Sequence, residues 1–166
     1  MHIFLDAEFT QFRDGELLAL GLVSEDGREC YVEIADAARH ARASGFCQDT
    51  VIPQFGLVDG AAMRDDAAAG AHVAAWLDAL PGPLKVCHDY KLDWRFLEST
   101  LRAAARWDDL APRLQADDIA GIAARGTPGE AAMIAAFDAA KSPARHHALV
   151  DARALRAAWL ATPSAA

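Results

Sequence analysis

Residues 1–34, MHIFLDAEFTQFRDGELLALGLVSEDGRECYVEI, decide how this chain folds. They contain three apolar runs of strand length, separated by the polar segments Gln11–Gly15 and Glu25–Arg28. The second segment carries Asp-Gly, which favours a hairpin because the turn needs a positive φ that Gly adopts at little cost. We interpret Gln11–Gly15 as the turn that joins the first two strands. Three strands without intervening helices predict an antiparallel meander.

Beyond the meander, apolar spacing and chain breaks predict one more strand and several helices. The strand is Leu84–Cys87, a short apolar run that we expect to be buried. The expected helices are Ala67–Leu80, Leu92–Trp107, Glu130–Ala140 and Leu149–Leu160, the last of which ends at Pro163. The segment Ala35–Gly60 is rich in helix-breaking residues and is expected to be irregular. This order of elements predicts an α/β protein with a mixed β-sheet flanked by helices.

The composition favours one folded domain that spans residues 1–166. Hydrophobic residues make up 53% of the 166 positions, which is enough to build a full core. No Gly/Ser-rich or Pro-rich tract interrupts the chain as a linker would. We therefore expect every motif described below to belong to the same domain.

The sequence also bears on the compartment in which the chain works. Its apolar stretches are shorter than the roughly 20 residues that cross a bilayer, so no membrane partner is expected. Met1–Phe4 leads directly into a strand pattern without the basic region of a signal peptide, which favours a cytoplasmic location. The three cysteines, Cys30, Cys47 and Cys87, lack the spacing of a zinc site or a disulfide framework and are expected to be buried thiols.

The formal net charge of −8 argues against broad, tight binding to duplex DNA. Bound metal ions would, however, neutralise part of this charge. The charge is therefore compatible with an enzyme that processes the end of a nucleic-acid strand.

Asp6 and Glu8 lie two residues apart in the first predicted strand, so both side chains point to the same face. The apolar residues that alternate with them point to the opposite face. Neighbouring carboxylates raise each other's pKa unless a cation lies between them. The alternative is a strand end that reaches solvent, where acidic residues are ordinary.

Asp93, His146 and Asp151 form two further clusters. Asp93 lies near the start of a predicted helix, where capping and the helix dipole also favour an acid. His146 is expected on the loop before the last helix and Asp151 in the first turns of that helix, so that both side chains approach one point. A surface position is a plausible alternative for His146, but a poor one for Asp151, whose neighbours are apolar.

Four carboxylates within apolar segments need a compensating charge, because burying an unpaired carboxylate costs several kcal/mol or more. These acids are Asp6, Glu8, Asp93 and Asp151. Hard divalent cations prefer oxygen ligands, and a pair of them would balance four acids. The pattern therefore favours a metal-dependent enzyme.

Three motifs in the chain resemble those of the DEDDh 3′-to-5′ exonucleases, a family with the ribonuclease H-like fold. The first is Asp6-Ala7-Glu8, which is similar to the family's DxE motif. The second matches at His88, Leu92, Asp93, Phe96 and Leu97. The third is His146–Ala152, which resembles the pattern HxALxDA. The motifs follow the family's order over nearly the whole chain, and Phe4–Tyr31 further resembles a bacterial subgroup of 3′-to-5′ exoribonucleases.

The resemblance implies a single exonuclease domain that hydrolyses the terminal phosphodiester of single-stranded RNA or DNA, with RNA favoured. The products would be nucleoside 5′-monophosphates. The four acids would hold two Mg²⁺ or Mn²⁺ ions about 3.5–4 Å apart, and His146 would accept a proton from the attacking water. The partner would be the 3′ end of the strand, and a homodimer is compatible with the family.

Two residues depart from the family's usual pattern. A third, Arg145, directly precedes His146, the proposed general base. Asp89 stands where the family usually has Asn, adds an acid near the site and is expected to alter either the metal preference or the capping of the helix. Phe9 replaces a Thr or another small residue and is expected either to stack beside the terminal base or to be an ordinary core residue. Arg145 is expected either to contact phosphates or to be a solvated surface charge.

Two other functions fit the same residues. One is a nucleic-acid-binding relative that kept the fold without catalysis, although the intact set of motif residues argues against it. The other is a metal-dependent phosphatase that acts on small nucleotides, where acids also cluster on a first strand. A covalent hydrolase is disfavoured, because no Ser or Cys nucleophile occupies a strand-to-helix elbow.

Overall fold

A computed structural model describes residues 1–162 and shows one mixed β-sheet with helices on both faces. Its strands are β1 His2–Phe9, β2 Leu17–Ser24, β3 Glu29–Ile34, β4 Ala62–Met63, β5 Leu84–His88 and β6 Leu114–Asp118. Their order across the sheet is β4-β3-β2-β1-β5-β6. β2 pairs antiparallel with β1 and with β3, and the other neighbours pair in parallel. The α/β class, the mixed sheet and the antiparallel meander are confirmed.

The two turns of the meander are built differently. After β2, Gly27 adopts a φ of 91°, as Asp26-Gly27 predicts. After β1, the left-handed residue is Asp14, with a φ of 52°, and not Gly15. Gly15 is required for space instead, because a Cβ there would collide with the carbonyl oxygen of Gln11.

The α-helices of the described chain are α1 Ala37–Ala41, α2 Asp66–Asp78, α3 Lys91–Ala103, α4 Trp107–Leu110, α5 Pro128–Ala139 and α6 Ala148–Ala161. The predicted helices correspond to α2, α3, α5 and α6. The second predicted helix, Leu92–Trp107, differs most from the structure, because α3 stops at Ala103 and Ala105 adopts a φ of 55° before a separate helix begins at Trp107. Pro163, expected to end α6, lies outside the described residues.

The sequence pattern does not predict β4 or β6. β4 has two residues, and the sequence of β6, LQADD, lacks the apolar periodicity of a strand. Both lie at the edges of the sheet, where parallel pairing with one neighbour holds them in place. The segment expected to be irregular, residues 35–60, contains α1 and two short helical turns, Cys47–Val51 and Ile52–Gln54.

The alternation of β1 separates two layers of the core. Its odd-numbered apolar side chains are buried on one face, against α2 and α3. Phe4 lies on the other face and packs against Leu155 of α6. Asp6 and Glu8 share the face of Phe4, as the spacing predicts, and lie nearer the carboxyl end of the strand. The strand therefore directs its two acids toward the layer that contains α6.

The sequence predicts buried free cysteines and no segment that crosses a membrane. All three cysteines are buried and free, as expected. Among residues 1–162, no helix has both the length and the apolar character that a membrane crossing requires.

Gly21 in β2 allows the start of α6 to lie directly on the sheet, because a Cβ at position 21 would collide with the backbone of Ala148 and Leu149. We expect Gly21→Ala to lower the free energy of unfolding by about 1–3 kcal/mol, the usual cost of overpacking, as measured by urea denaturation. Gly45→Ala is the matched control, since no atom lies within 4 Å of a Cβ at position 45. Equal stability of the two variants would show that α6 does not press on β2 here.

Candidate metal centre

The predicted site residues come together at the carboxyl end of β1. Asp6 and Glu8 lie on this strand, Asp93 lies in the first turn of α3, and His146 and Asp151 lie at the start of α6. All five line one cavity of about 400 Å³. Three separate segments of the chain therefore contribute to one cavity, as a shared site requires.

The acids and the histidine form two sets of three donor atoms. One set consists of Glu8, His146 and Asp151, whose nearest donor atoms all lie within 4.8 Å of one another. The second set consists of Asp6, Asp89 and Asp93, with the same limit on its separations. Both sets have a spacing that a divalent cation can use; the second offers only hard carboxylate oxygens, and the first combines two of them with an imidazole nitrogen.

Burial and mutual repulsion raise the pKa values of these carboxyl groups. Burial raises the pKa of Glu8 to about 8, and Asp151 adds to the shift. Burial also raises the pKa of Asp93 to about 8, and Asp89 is the next cause. The pKa of Asp151 is raised to about 7 by burial. The pKa of Asp6 is raised by burial and then by four neighbouring acids.

Two carboxylate oxygens at the site have no partner among the described residues. They are Oδ2 of Asp6 and Oδ2 of Asp93, and both are buried. An unpartnered buried carboxylate is costly, and a cation would satisfy it. The residues therefore fit Mg²⁺ or Mn²⁺, which prefer carboxylate ligands.

The loop before α6 is held by one glutamine side chain. The Nε2 group of Gln54 donates hydrogen bonds to the carbonyl oxygens of Arg145 at 3.0 Å and His146 at 3.2 Å. Its Oε1 accepts a hydrogen bond from the amide of Ala144 at 2.7 Å. His146 has a left-handed φ of 65°, and its amide donates to Oδ1 of Asp151 at 3.2 Å. Gln54 and Asp151 together therefore fix the backbone that carries the imidazole.

His146 and His147 have different environments. His146 lines the cavity, and burial together with the charge of Arg145 lowers the pKa of its imidazole. His147 is 2% exposed and stacks on Tyr31 with ring centroids 4.4 Å apart. Burial lowers the pKa of His147 to about 4. The structure thus brings His146, and not its neighbour, to the carboxylates, as the spacing predicts.

Aromatic side chains line the cavity beside the carboxylates. Phe9 is half-buried and stacks on Phe96 at a centroid distance of 5.1 Å. Phe12, Phe46 and Tyr90 line the same cavity and are 77%, 54% and 41% exposed. Phe9 thus combines a core contact with a cavity wall. The three exposed aromatic residues were not predicted, because Phe12 lies in a loop and Phe46 and Tyr90 lie at the starts of helical elements, where no periodic pattern identifies them.

Arg145 lies at the mouth of the site. Its guanidinium group lies 5.0 Å from the ring centroid of Phe137. It also lines a small cavity of about 100 Å³ with Asp6, Asp89 and Asp151. Its role as a phosphate contact stays a prediction, and its location next to the carboxylates is compatible with that role.

Comparisons with known proteins do not identify the chain. No protein-family model matches it, and no curated protein matches it either. The resemblance to the DEDDh exonucleases therefore stays a prediction, and the interpretation of the site depends on the motif residues and their geometry.

The raised pKa values predict a pH dependence of stability in EDTA. The folded-state pKa values of Glu8 and Asp93 lie near 8, above their values in the unfolded chain. The folded state therefore binds more protons, and the free energy of unfolding should fall as the pH rises from about 6.5 to about 8.5. His147 does not oppose this trend, because the stability from its lowered pKa is already complete above its unfolded-state pKa. Denaturant titrations at several pH values measure the slope.

The double variant Glu8→Gln, Asp93→Asn is the comparison for this experiment. It removes two of the titrating groups, so its slope in EDTA should be shallower. Saturating Mg²⁺ should flatten the slope of the unmodified protein, because cations need the deprotonated acids. Identical profiles for both proteins would contradict the raised pKa values.

Proposed function

We propose that this chain is a DEDDh-type 3′-to-5′ exonuclease that releases nucleoside 5′-monophosphates from single-stranded nucleic acid, with RNA favoured. The observation that carries the proposal is the convergence of the residues of all three motifs on one cavity at the end of β1. The meander, the parallel strands beside it and the helices on both faces support the ribonuclease H-like fold.

Two Mg²⁺ or Mn²⁺ ions are the cofactors that the donor sets favour. The residues that would hold them are Asp6, Glu8, Asp93 and Asp151. When bound, such ions supply a nucleophilic water at neutral pH and stabilise the leaving 3′ oxygen. Asp6 belongs to one donor set and lies close enough to Asp151 of the other for both Asp151 and Asp93 to raise its pKa.

His146 is the proposed general base. The lowered pKa of its imidazole keeps the ring neutral at neutral pH, so the ring can accept a proton from the attacking water. Asp151 binds the backbone amide of His146 and not its ring, which leaves the ring facing the cavity. The imidazole ring also contacts the ring of Phe46 in a T-shaped arrangement, with the centroids 5.0 Å apart.

The exposed aromatic residues favour a nucleobase as the group that occupies the cavity wall. Bases stack on aromatic side chains with little dependence on sequence, and the contact suits single strands whose bases are unpaired. Phe12 and Phe46 lie on the side of the cavity that contains Glu8. Arg145, which lines the adjoining small cavity with Asp6, Asp89 and Asp151, would offer a positive charge to a substrate phosphate. This arrangement supports a strand end as the substrate.

Substitution of the acids and of the proposed base tests the reaction. We expect Asp6→Asn and Asp151→Asn to abolish release of mononucleotides from a 3′-OH RNA oligomer, and EDTA to do so reversibly. His146→Ala should lower kcat by about 10²–10⁴-fold, the contribution of a general base, while Mn²⁺ binding is kept. Product release is followed by chromatography of the nucleotides.

Asp108→Asn and His72→Ala are the matched controls, because both side chains are exposed on helices away from the cavity. Near-normal activity of Asp6→Asn or Asp151→Asn would exclude the proposed arrangement. Hydrolysis of a mononucleotide ester without hydrolysis of an oligomer would favour the phosphatase. Binding of RNA without hydrolysis in Mn²⁺ would favour the non-catalytic relative.

Phe12 provides a test of base stacking. Since stacking contributes about 1–3 kcal/mol per base, Phe12→Ala should raise KM for a short RNA oligomer by roughly 5–150-fold with a smaller effect on kcat. Leu160→Ala is the control, because Leu160 is 54% exposed at the opposite end of α6. An unchanged KM in Phe12→Ala would remove this residue from the substrate site.

A further inference from the structure

Asp89 lies in the loop between β5 and α3, and the pairing of β5 explains its proximity to Asp6. β1 and β5 are parallel, with Ile3 opposite Val86 and Phe4 opposite Cys87. Continuing this register by two residues brings Asp89 beside Asp6 at the carboxyl ends of both strands. Strand register therefore directs a carboxylate to the edge of the metal centre.

The helix that follows adds a third acid. Asp93 lies in the first turn of α3, four residues after Asp89, and is 2% exposed. One carboxylate oxygen from each of Asp6, Asp89 and Asp93 lies within 4.8 Å of the others. Oδ2 of Asp93 and Oδ2 of Asp6 are buried without a hydrogen-bond partner. The lack of a partner at these two oxygens is independent of the short distances between the three acids, and a cation would satisfy both oxygens.

Within the part of the chain that the structure describes, the carboxylate of Asp89 neither forms an ion pair nor caps a helix, so neither interaction explains an acid at this position. No Lys or Arg within residues 1–162 lies close enough to form a salt bridge with it. The N-cap residue of α3 is Tyr90, which makes no side-chain capping hydrogen bond. Asp89 is exposed, so an ion can reach the set from solvent.

We propose that Asp89 is a metal ligand and that Asp6, Asp89 and Asp93 form a divalent-cation site with three carboxylates. The inference deepens the proposed function and rests on it, because this ion is one of the two that the nuclease would use. Asp carries a full negative charge where the resembled motif usually has a neutral Asn. The site therefore holds its ion more tightly than two carboxylates would, and holds it before any substrate phosphate arrives.

Mn²⁺ binding without nucleic acid tests this inference. The number of bound ions and their Kd values are measured by electron paramagnetic resonance of free Mn²⁺ and by calorimetry. We expect the unmodified protein to bind two Mn²⁺ ions. Asp89→Asn should weaken one of them by about tenfold or more, since removal of even an outer-shell partner of a ligand costs 10–100-fold in affinity. Asp89→Glu, which keeps the charge, should restore much of the loss.

Asp118→Asn is the matched control. Asp118 is an exposed acid close enough to help raise the pKa of Asp89, but it does not belong to the donor set. An equal loss of Mn²⁺ affinity in Asp89→Asn and Asp118→Asn would show that both acids act only through long-range electrostatic attraction, and this would overturn the inference. Unchanged binding of two ions by Asp89→Asn would overturn it and leave the proposed nuclease intact. Failure of the unmodified protein to bind Mn²⁺ would overturn both.

Discussion

At the carboxyl end of β1, burial and mutual repulsion act on the same group of carboxylates. Asp6 receives the repulsion of four neighbouring acids, and the remaining acids of the cavity also have raised pKa values. No arrangement of so many acids is favourable in the charged form without added positive charge. The sheet and the helices nevertheless hold them together. A divalent cation would relieve this unfavourable contact, as the proposed function requires.

If the chain is the proposed exonuclease, the same constraint orders the events of substrate binding. The chain has a formal net charge of −8, and its cavity gathers several acids where the phosphate of the proposed substrate would arrive. An anionic strand is repelled from such a cavity until cations occupy it. Metal binding is therefore expected to precede binding of nucleic acid. The aromatic wall then contributes attraction that does not depend on charge.

Local patterns were sufficient to predict part of this protein. The alternation of β1 and the Asp-Gly turn predict the meander, and the spacing of Asp6 and Glu8 predicts their common face. These features depend on residues that are neighbours in the sequence, so the alternation of apolar and polar residues is enough to predict them. The edge strands are different, because β6 is polar and is held in place by its pairing with β5. Propensity gives no signal where tertiary pairing decides the structure.

The site shows the same division. The motif residues Asp93, His146 and Asp151 were found because their types and order are recognisable. The resembled motif placed Asp89 near the site, but its grouping with Asp6 and Asp93 follows from the register of two parallel strands, which the sequence does not display. The aromatic wall and the bonds made by Gln54 likewise arise from loops that meet only in the folded chain.

Gln54 makes the orientation of a proposed proton acceptor depend on a segment that contributes no acid to the cavity. Its amide holds the backbone of residues 144–146 from about ninety positions earlier in the chain. In the proposed function, Gln54 would influence turnover through the base, whereas Asp151 would influence both the base and the binding of ions. Substitutions in Cys47–Gln54 would then change the speed of hydrolysis and leave the carboxylates of the cavity in place.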